Sequence, residues 1–257
     1  MAIERRAFLR LAAAGCACCA VPGFMSAHGE GHAWTYEGAT GPDHWGTLSP
    51  DFKTCALGLQ QTPIDLSNAM AGDAGSLGFD YRPLPLRLVN NGHTIQLNAD
   101  RGSVLRIGAT RYELLQMHFH HPSEHLVDGR ACAMEAHLVH RSEAGDLAVV
   151  GVFIEEGAHN DALAAIFDAM PPHEGPEIGV EGAFDALAVL PANRAAFRYS
   201  GSLTTPPCSE GLAWTVFREP ITASPEQIRA FAALFPNNAR PVQPMNERIL
   251  IETGGGS

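Results

Sequence analysis

"QMHFHHPSEHLVDGRACAMEAHLVHR", residues 116–141, decides the reading of this chain. Its first ten residues hold four histidines, where twelve in 257 would give about half of one. In a strand, side chains at i and i+2 share a face. His118 and His120 therefore point one way and His121 the other. A second strand-like run, "ACAMEAHLVHR", follows a loop with turn residues at Pro122 and Asp128-Gly129. Two strands joined in this way can pair antiparallel, which brings His137 alongside His118 and His120. Three neutral imidazoles on one concave face, with no thiolate, suit a catalytic zinc with an open coordination position.

An isolated His-x-His pair is more often chance or surface decoration. Here Gln116 and Glu135 each stand two residues before a candidate ligand, on the same face of an otherwise apolar strand. Each can accept the second ring N–H of a ligand histidine and fix its tautomer. The spacing also fits the cupin pattern of two histidines, a glutamate (Glu124 here) and a distant histidine, which would hold iron or manganese. The second cupin motif is missing around His137.

Outward from this stretch, short apolar runs alternate with Gly, Pro, Asn and Asp. "LRLVNNGHTIQLNAD", "SVLRIGATRYELLQMHFH" and "LAVVGVFIEEG" read as further strands. "NDALAAIFDAM" reads as a short helix opening at Asn160 or Asp161, with Leu163, Ile166 and Phe167 on one face and Pro171 as its stop. "SPEQIRAFAALF" reads as another, with Ser224 as N-cap and Pro225 in the first helical position. No repeat, charge block or long linker divides the chain. The 26 glycines and 18 prolines favour a strand-and-turn protein over a helical bundle, and 46% hydrophobic residues suffice for a core. A net charge of −11 argues against a nucleic-acid partner and gives no reason for attraction to anionic lipid. The expectation is one sheet-dominated domain over residues 28–257, mainly β (α+β), with short peripheral helices.

Residues 1–27 read as an export signal. Arg5, Arg6 and Arg10 precede a small, apolar stretch from Leu11 to Val21, too short to span a bilayer. "RRAFLR" resembles a twin-arginine signal, and cleavage after Ala27 leaves a small residue at the cut. This places the mature protein in the periplasm or outside the cell, with no membrane span. "AAAGC", ending at Cys16, also resembles a lipoprotein signal, but Ala13 stands where such signals usually carry Leu, so lipid anchoring is the lesser reading. Outside the signal remain Cys55, Cys132 and Cys208. Export permits one disulfide among them. Cys132 sits in a strand-like run and the other two in loop-like stretches, so Cys55–Cys208 is the expected pair; three reduced, buried cysteines are the alternative.

"GSLTTPPCSEGLAW", residues 201–214, joins the histidine strands to a known pattern. Together with "QMHFHHPSEH", "EAHLVH", "NNGH" and "QTPIDL", in that family's order, it resembles the α-class carbonic anhydrases, from about Trp34 to Ile251. The resemblance implies a large, mostly antiparallel twisted central sheet and one zinc ion held by His118, His120 and His137. It implies reversible hydration of carbon dioxide to bicarbonate and a proton. Gln116 and Glu135 match the ligands' outer partners, with the Asn238 carbonyl behind His120 and His125 against Glu135 as support for His137. Zinc lowers the pKa of bound water from 15.7 to roughly 7, an effect for which carbonic anhydrase is itself the reference case. The resemblance implies that zinc-bound hydroxide attacks carbon dioxide, oriented by Thr204 and Glu124. Thr204 and Thr205 match substrate-binding positions, and Val139, Val149, Leu203 and Trp214 match a dry wall for an apolar gas. His93 matches the proton shuttle, a task suited to an imidazole. Asn91, Gln96 and Tyr36 match the ordered-water network, although the family more often has Asn where Gln96 stands. Bacterial exported members commonly carry a disulfide placed as Cys55–Cys208 and are often dimers.

Overall fold

The computed structural model describes residues 33–254 of the chain. The export signal and Cys16 lie outside the described residues. The first strands are β1 (Met70–Ala71), β2 (Leu77–Asp80), β3 (Leu84–Asn90), β4 (Ile95–Asn98) and β5 (Val104–Ile107). The long central ones are β6 (Thr110–His120), β7 (Met134–Ser142) and β8 (Leu147–Glu156). β9 (Ile178–Phe184), β10 (Ala196–Ser202), β11 (Glu210–Phe217), β12 (Ile221–Ala223) and β13 (Ile251–Thr253) complete one 13-stranded sheet. Helices α1 (Trp45–Leu48), α2 (Thr54–Leu57), α3 (Asp161–Phe167) and α4 (Pro225–Leu234) are short.

The spatial order is β1-β13-β10-β11-β8-β7-β6-β4-β3-β9, with β12 paired to β8 and the β2–β5 hairpin joined to β6. Parallel pairing is confined to β1–β13, β11–β8 and β12–β8. The expected mostly antiparallel sheet is therefore present, with a parallel seam where the chain leaves β8 and returns as β11.

Central strands are buried on both faces, which explains why β7 and β8 read as long apolar runs rather than clean alternations. On one face, Phe119, Leu138, Val150 and Phe217 pack beneath Leu163 and Ile166 of α3 and Phe231 of α4. On the other, Val139, Val149, Phe153, Tyr199 and Trp214 form a second apolar layer. The period of two puts Glu135, His137 and Val139 on this second face. Cys55 and Cys208 form a disulfide beside the buried Trp45, leaving Cys132 as the free thiol among the described residues.

Both helices begin where the sequence places them. The Asn160 side chain accepts from the backbone of Ala162 and Leu163, and Ser224 and Gln227 form a reciprocal capping box. α3 ends at Phe167, ahead of Pro171, because Asp168 already closes the last turn; the Pro171 carbonyl instead accepts from Asn90 Nδ2 at 3.0 Å. Cys132 is not in a strand. Its N–H donates to Ser123 Oγ and its carbonyl accepts from Ser123, so the loop holds it and β7 begins at Met134.

Buried His140 meets the Tyr81 hydroxyl at 2.6 Å. Burial lowers its pKa to about 3, opposed by backbone hydrogen bonds to Ala148 and Leu138. The unfolded chain binds this proton near pH 6.5 and the folded one does not, so stability is lost as pH falls from about 6.5 toward 3. A His140→Gln variant should flatten the acid limb of the unfolding free energy in that window, measured by urea titration at a series of pH values.

Candidate metal centre

Cross-strand register builds the site. Row by row, His118 of β6 lies opposite His137 of β7, which lies opposite Gly151 of β8. Gln96 of β4 flanks His118 on its other side. In the adjacent row stand Gln116, Val139, Val149, Trp214 and Tyr199. His120 is opposite Glu135.

One nitrogen of each ring is taken. His118 Nδ1 meets Gln116 Oε1 at 2.8 Å, His120 Nδ1 meets the Asn238 carbonyl at 2.7 Å, and His137 Nε2 meets Glu135 Oε1 at 2.9 Å. These acceptors hold the N–H form on their side and leave a lone pair on the other nitrogen. The three rings offer nitrogens that lie within 4.8 Å of one another. His120 Nε2 is buried and has no hydrogen-bond partner. A lone pair in that position is costly unless something electropositive faces it.

Burial keeps the imidazoles neutral. It lowers the pKa of His120 to about 4 and that of His137 below its usual value. His118, which is only half-buried as a residue, is lowered by burial and then by its two neighbouring imidazoles. Three neutral nitrogen donors, each oriented from behind, fit zinc rather than an oxygen-preferring cation.

Glu124 faces the same space, with Oε2 at 3.5 Å from His120 Nε2 and 3.8 Å from His137 Nδ1. Oε1 accepts from the Arg240 N–H at 2.9 Å. Burial raises its pKa to about 7, opposed by His137, the Arg240 N–H and a hydrogen bond with Thr204. Oε2 is buried and makes no hydrogen bond of standard geometry. Val139, Val149 and Trp214 share one apolar layer, against which Leu203 packs, and the Trp214 ring lies 5.0 Å from that of His137. Thr205 closes the following turn by accepting from the Cys208 N–H.

His93 follows Gly92, whose φ of 82° is the left-handed value the turn needs. Asn91 Oδ1 accepts from the N–H groups of His93 and Thr94, both at 3.0 Å, so its carbonyl shapes the turn. The His93 ring stacks on Trp34 at 3.7 Å, beside a cleft of about 310 Å³ lined by Tyr36, Phe235 and Asn238. Gln96 Nε2 donates to Asn98 Oδ1 at 2.6 Å. His121 faces away, with Nδ1 at 3.0 Å from the Pro236 carbonyl.

Sequence reading did not find Gly151. A Cβ there would lie 2.9 Å from Glu135 Oε1 and 3.2 Å from Val216. The missing side chain is the space the carboxylate occupies. Gly151→Ala should push Glu135 off His137 and weaken metal binding by roughly 10–100-fold, the usual cost of an outer-partner change. Competition with a chelator measures it, and unchanged affinity would contradict the steric argument.

The eukaryotic-type carbonic anhydrase family model matches residues 40–253. The chain belongs to the α-carbonic anhydrase family. It is 52% identical over 225 residues to a carbonic anhydrase of Nostoc sp., covering 85% of each chain. A Pectobacterium atrosepticum carbonic anhydrase is 39% identical over 229 residues, covering 89% of this chain and 94% of that one. The solved α-carbonic anhydrase of Thermovibrio ammonificans, in complex with the inhibitor sulfanilamide, superposes with a TM-score of 0.84 at 41% identity, over 86% of this chain and 99% of that one. Carbonic anhydrases hydrate carbon dioxide, and this family depends on zinc. The cupin alternative falls with the fold and the family. No helix among the described residues is long and apolar enough to cross a membrane.

Proposed function

We propose that this chain is an exported zinc carbonic anhydrase in which His118, His120 and His137 hold the metal. The supporting observation is the arrangement of the three rings, each engaged on one nitrogen and each presenting the other to a common point. When bound, zinc supplies Lewis acidity that lets water lose a proton near neutral pH.

The chain's own residues do the rest. Gln116, Glu135 and the Asn238 carbonyl fix the ligand tautomers, and His125 steadies Glu135. Glu124, anchored by the Arg240 N–H, accepts from the Thr204 hydroxyl, so the Thr204 oxygen is left as an acceptor that orients the attacking group. The Thr204 backbone N–H and Thr205 receive a substrate oxygen. Val139, Val149, Leu203 and Trp214 exclude water and hold an apolar gas. His93 relays the released proton to buffer, with Asn91, Gln96 and Tyr36 ordering the path. Residues 28–257 form the mature domain after removal of a twin-arginine signal, in the periplasm or beyond it, where an oxidising compartment accounts for the disulfide.

Metal analysis together with stopped-flow hydration tests the proposal. The expected result is zinc near one per chain and strong acceleration; zinc-loaded protein without acceleration overturns it. His93→Ala should lower turnover on the order of 10²-fold in dilute buffer, the scale of general acid–base assistance. Concentrated imidazole buffer should restore it. Unchanged turnover in dilute buffer would remove His93 from the proton path.

A further inference from the structure

Thr62 belongs to "QTPIDL", a stretch whose Ile64 and Leu66 join the second apolar layer and whose threonine has no part in the metal centre described above. It is fully buried, and hydrogen bonds converge on it from both halves of the site. One branch begins at the third imidazole. His137 meets Glu135, and Glu135 Oε1 also meets His125 Nδ1 at 2.8 Å. His125 Nε2 meets the Tyr199 hydroxyl at 2.6 Å. Tyr199 donates to Thr62 Oγ1 at 3.2 Å. The other branch is the strand end that carries Thr204. Ser202 N–H donates to Thr62 Oγ1 at 2.9 Å, and Thr62 N–H donates to Ser202 Oγ at 2.9 Å. Ser202 Oγ then donates to the Leu203 carbonyl at 2.8 Å, and Trp214 Nε1 donates to the Ser202 carbonyl at 2.9 Å. A third connection runs to Glu124. The Thr62 carbonyl accepts from the Arg240 guanidinium at 2.8 Å, and the Arg240 backbone N–H holds Glu124.

Packing leaves no slack around this hydroxyl. A Cβ at Gly201 would lie 2.2 Å from Thr62 Oγ1, so the strand backbone is pressed against it. A small shift of Thr62 therefore has to be absorbed by Tyr199 or by the Ser202–Leu203 backbone. The first moves the support behind His137; the second moves Thr204.

We propose that Thr62 is a positioning residue whose hydroxyl couples the support of the third ligand to the strand end bearing Thr204, and so sets metal retention. The proposal rests on the zinc reading above. It touches no substrate and acts only through Tyr199 and Ser202. Buried networks of this kind are sensitive to one missing member, because the partners left behind cannot turn to water.

The test compares Thr62→Val, which keeps the shape and removes the hydroxyl, with Thr62→Ser, which keeps the hydroxyl. Zinc release to a chelator and the visible spectrum of the cobalt-substituted protein are read alongside the denaturant midpoint of the metal-free protein. Thr62→Val is expected to speed zinc release on the order of 10-fold and to alter the cobalt bands, with Thr62→Ser close to the parent. A parent that takes up no zinc defeats the zinc reading itself. A parent that takes up zinc, with release and cobalt bands unmoved in Thr62→Val, overturns the coupling alone. Equal losses in the Ser and Val variants also overturn it, since the close packing at this position and not the hydroxyl would then matter. Should Thr62→Val fail to fold, Tyr199→Phe cuts the same branch at its next member and is expected to speed release to a similar degree; unchanged release there overturns the proposal.

Discussion

Replacing His118 with Ala is expected to remove both the metal and the activity. His118 contributes one of three ring nitrogens, and a catalytic zinc site needs three protein ligands beside its open position. Two imidazoles do not hold the ion against solvent, and hydration should fall by more than the roughly 100-fold that an outer-partner change can cost. The fold should survive. His118 keeps some exposed surface and belongs to neither apolar layer, so the metal-free melting temperature should stay near that of the parent. Zinc content, stopped-flow hydration and thermal melts of parent and variant check the three statements together. Zinc retained at full occupancy would point to the other ligand-like group among the described residues, His125, Glu135 and His137. Its nitrogens on Glu135 are already engaged, at 2.8 and 2.9 Å, which is why it is not expected to bind.

The readability of this site follows from how much of it is local. His118 and His120 show themselves through a period of two, and the loop after them ends at Asp128 and Gly129, both left-handed in the structure, so the return strand could be anticipated. That His137 stands directly opposite His118, however, depends on the register set by the connecting loop, and a bulge between Leu114 and Gln116 then shifts the rest of the pairing; no spacing announces either. Thr62, Tyr199 and Arg240 are farther from view. Tyr199 and Arg240 each lie more than a hundred positions from Thr62, and only the fold brings them to it. Strand β10 was missed because "AFRYSGS" mixes Arg198 and serines into a run that is nevertheless buried. Cys132 misled for the opposite reason: an apolar neighbourhood looked like strand, while Ser123 claims both of its backbone groups. Local periodicity thus exposes the candidate ligands, whereas the groups that hold their rings still are set by long-range register.

Removing the disulfide, as Cys55→Ala with Cys208→Ala, is expected to cost stability far more than chemistry. The bridge spans 153 residues and encloses strands β1 to β10, so it constrains a large part of the unfolded chain. Bridges of this kind contribute roughly 2–5 kcal/mol. For a chain of this size each kcal/mol moves the melting temperature by about 2–4 °C, giving a drop on the order of 10 °C. The folded arrangement has other ties at the same place. The Cys55 carbonyl accepts from Arg240 at 3.0 Å, the Cys208 carbonyl accepts from Gln61 at 3.1 Å, and the Cys208 N–H donates to the Thr205 carbonyl at 2.9 Å. These bonds keep the Thr204–Thr205 turn against Glu124 without the sulfurs, so turnover of the folded, zinc-loaded variant at 25 °C should stay within a few-fold of the parent. Thermal melts and stopped-flow hydration on the same preparation separate the two effects. A collapse of turnover with an unchanged melting temperature would reverse the argument, because the bridge would then act on the turn beside Thr204 and not on the unfolded chain.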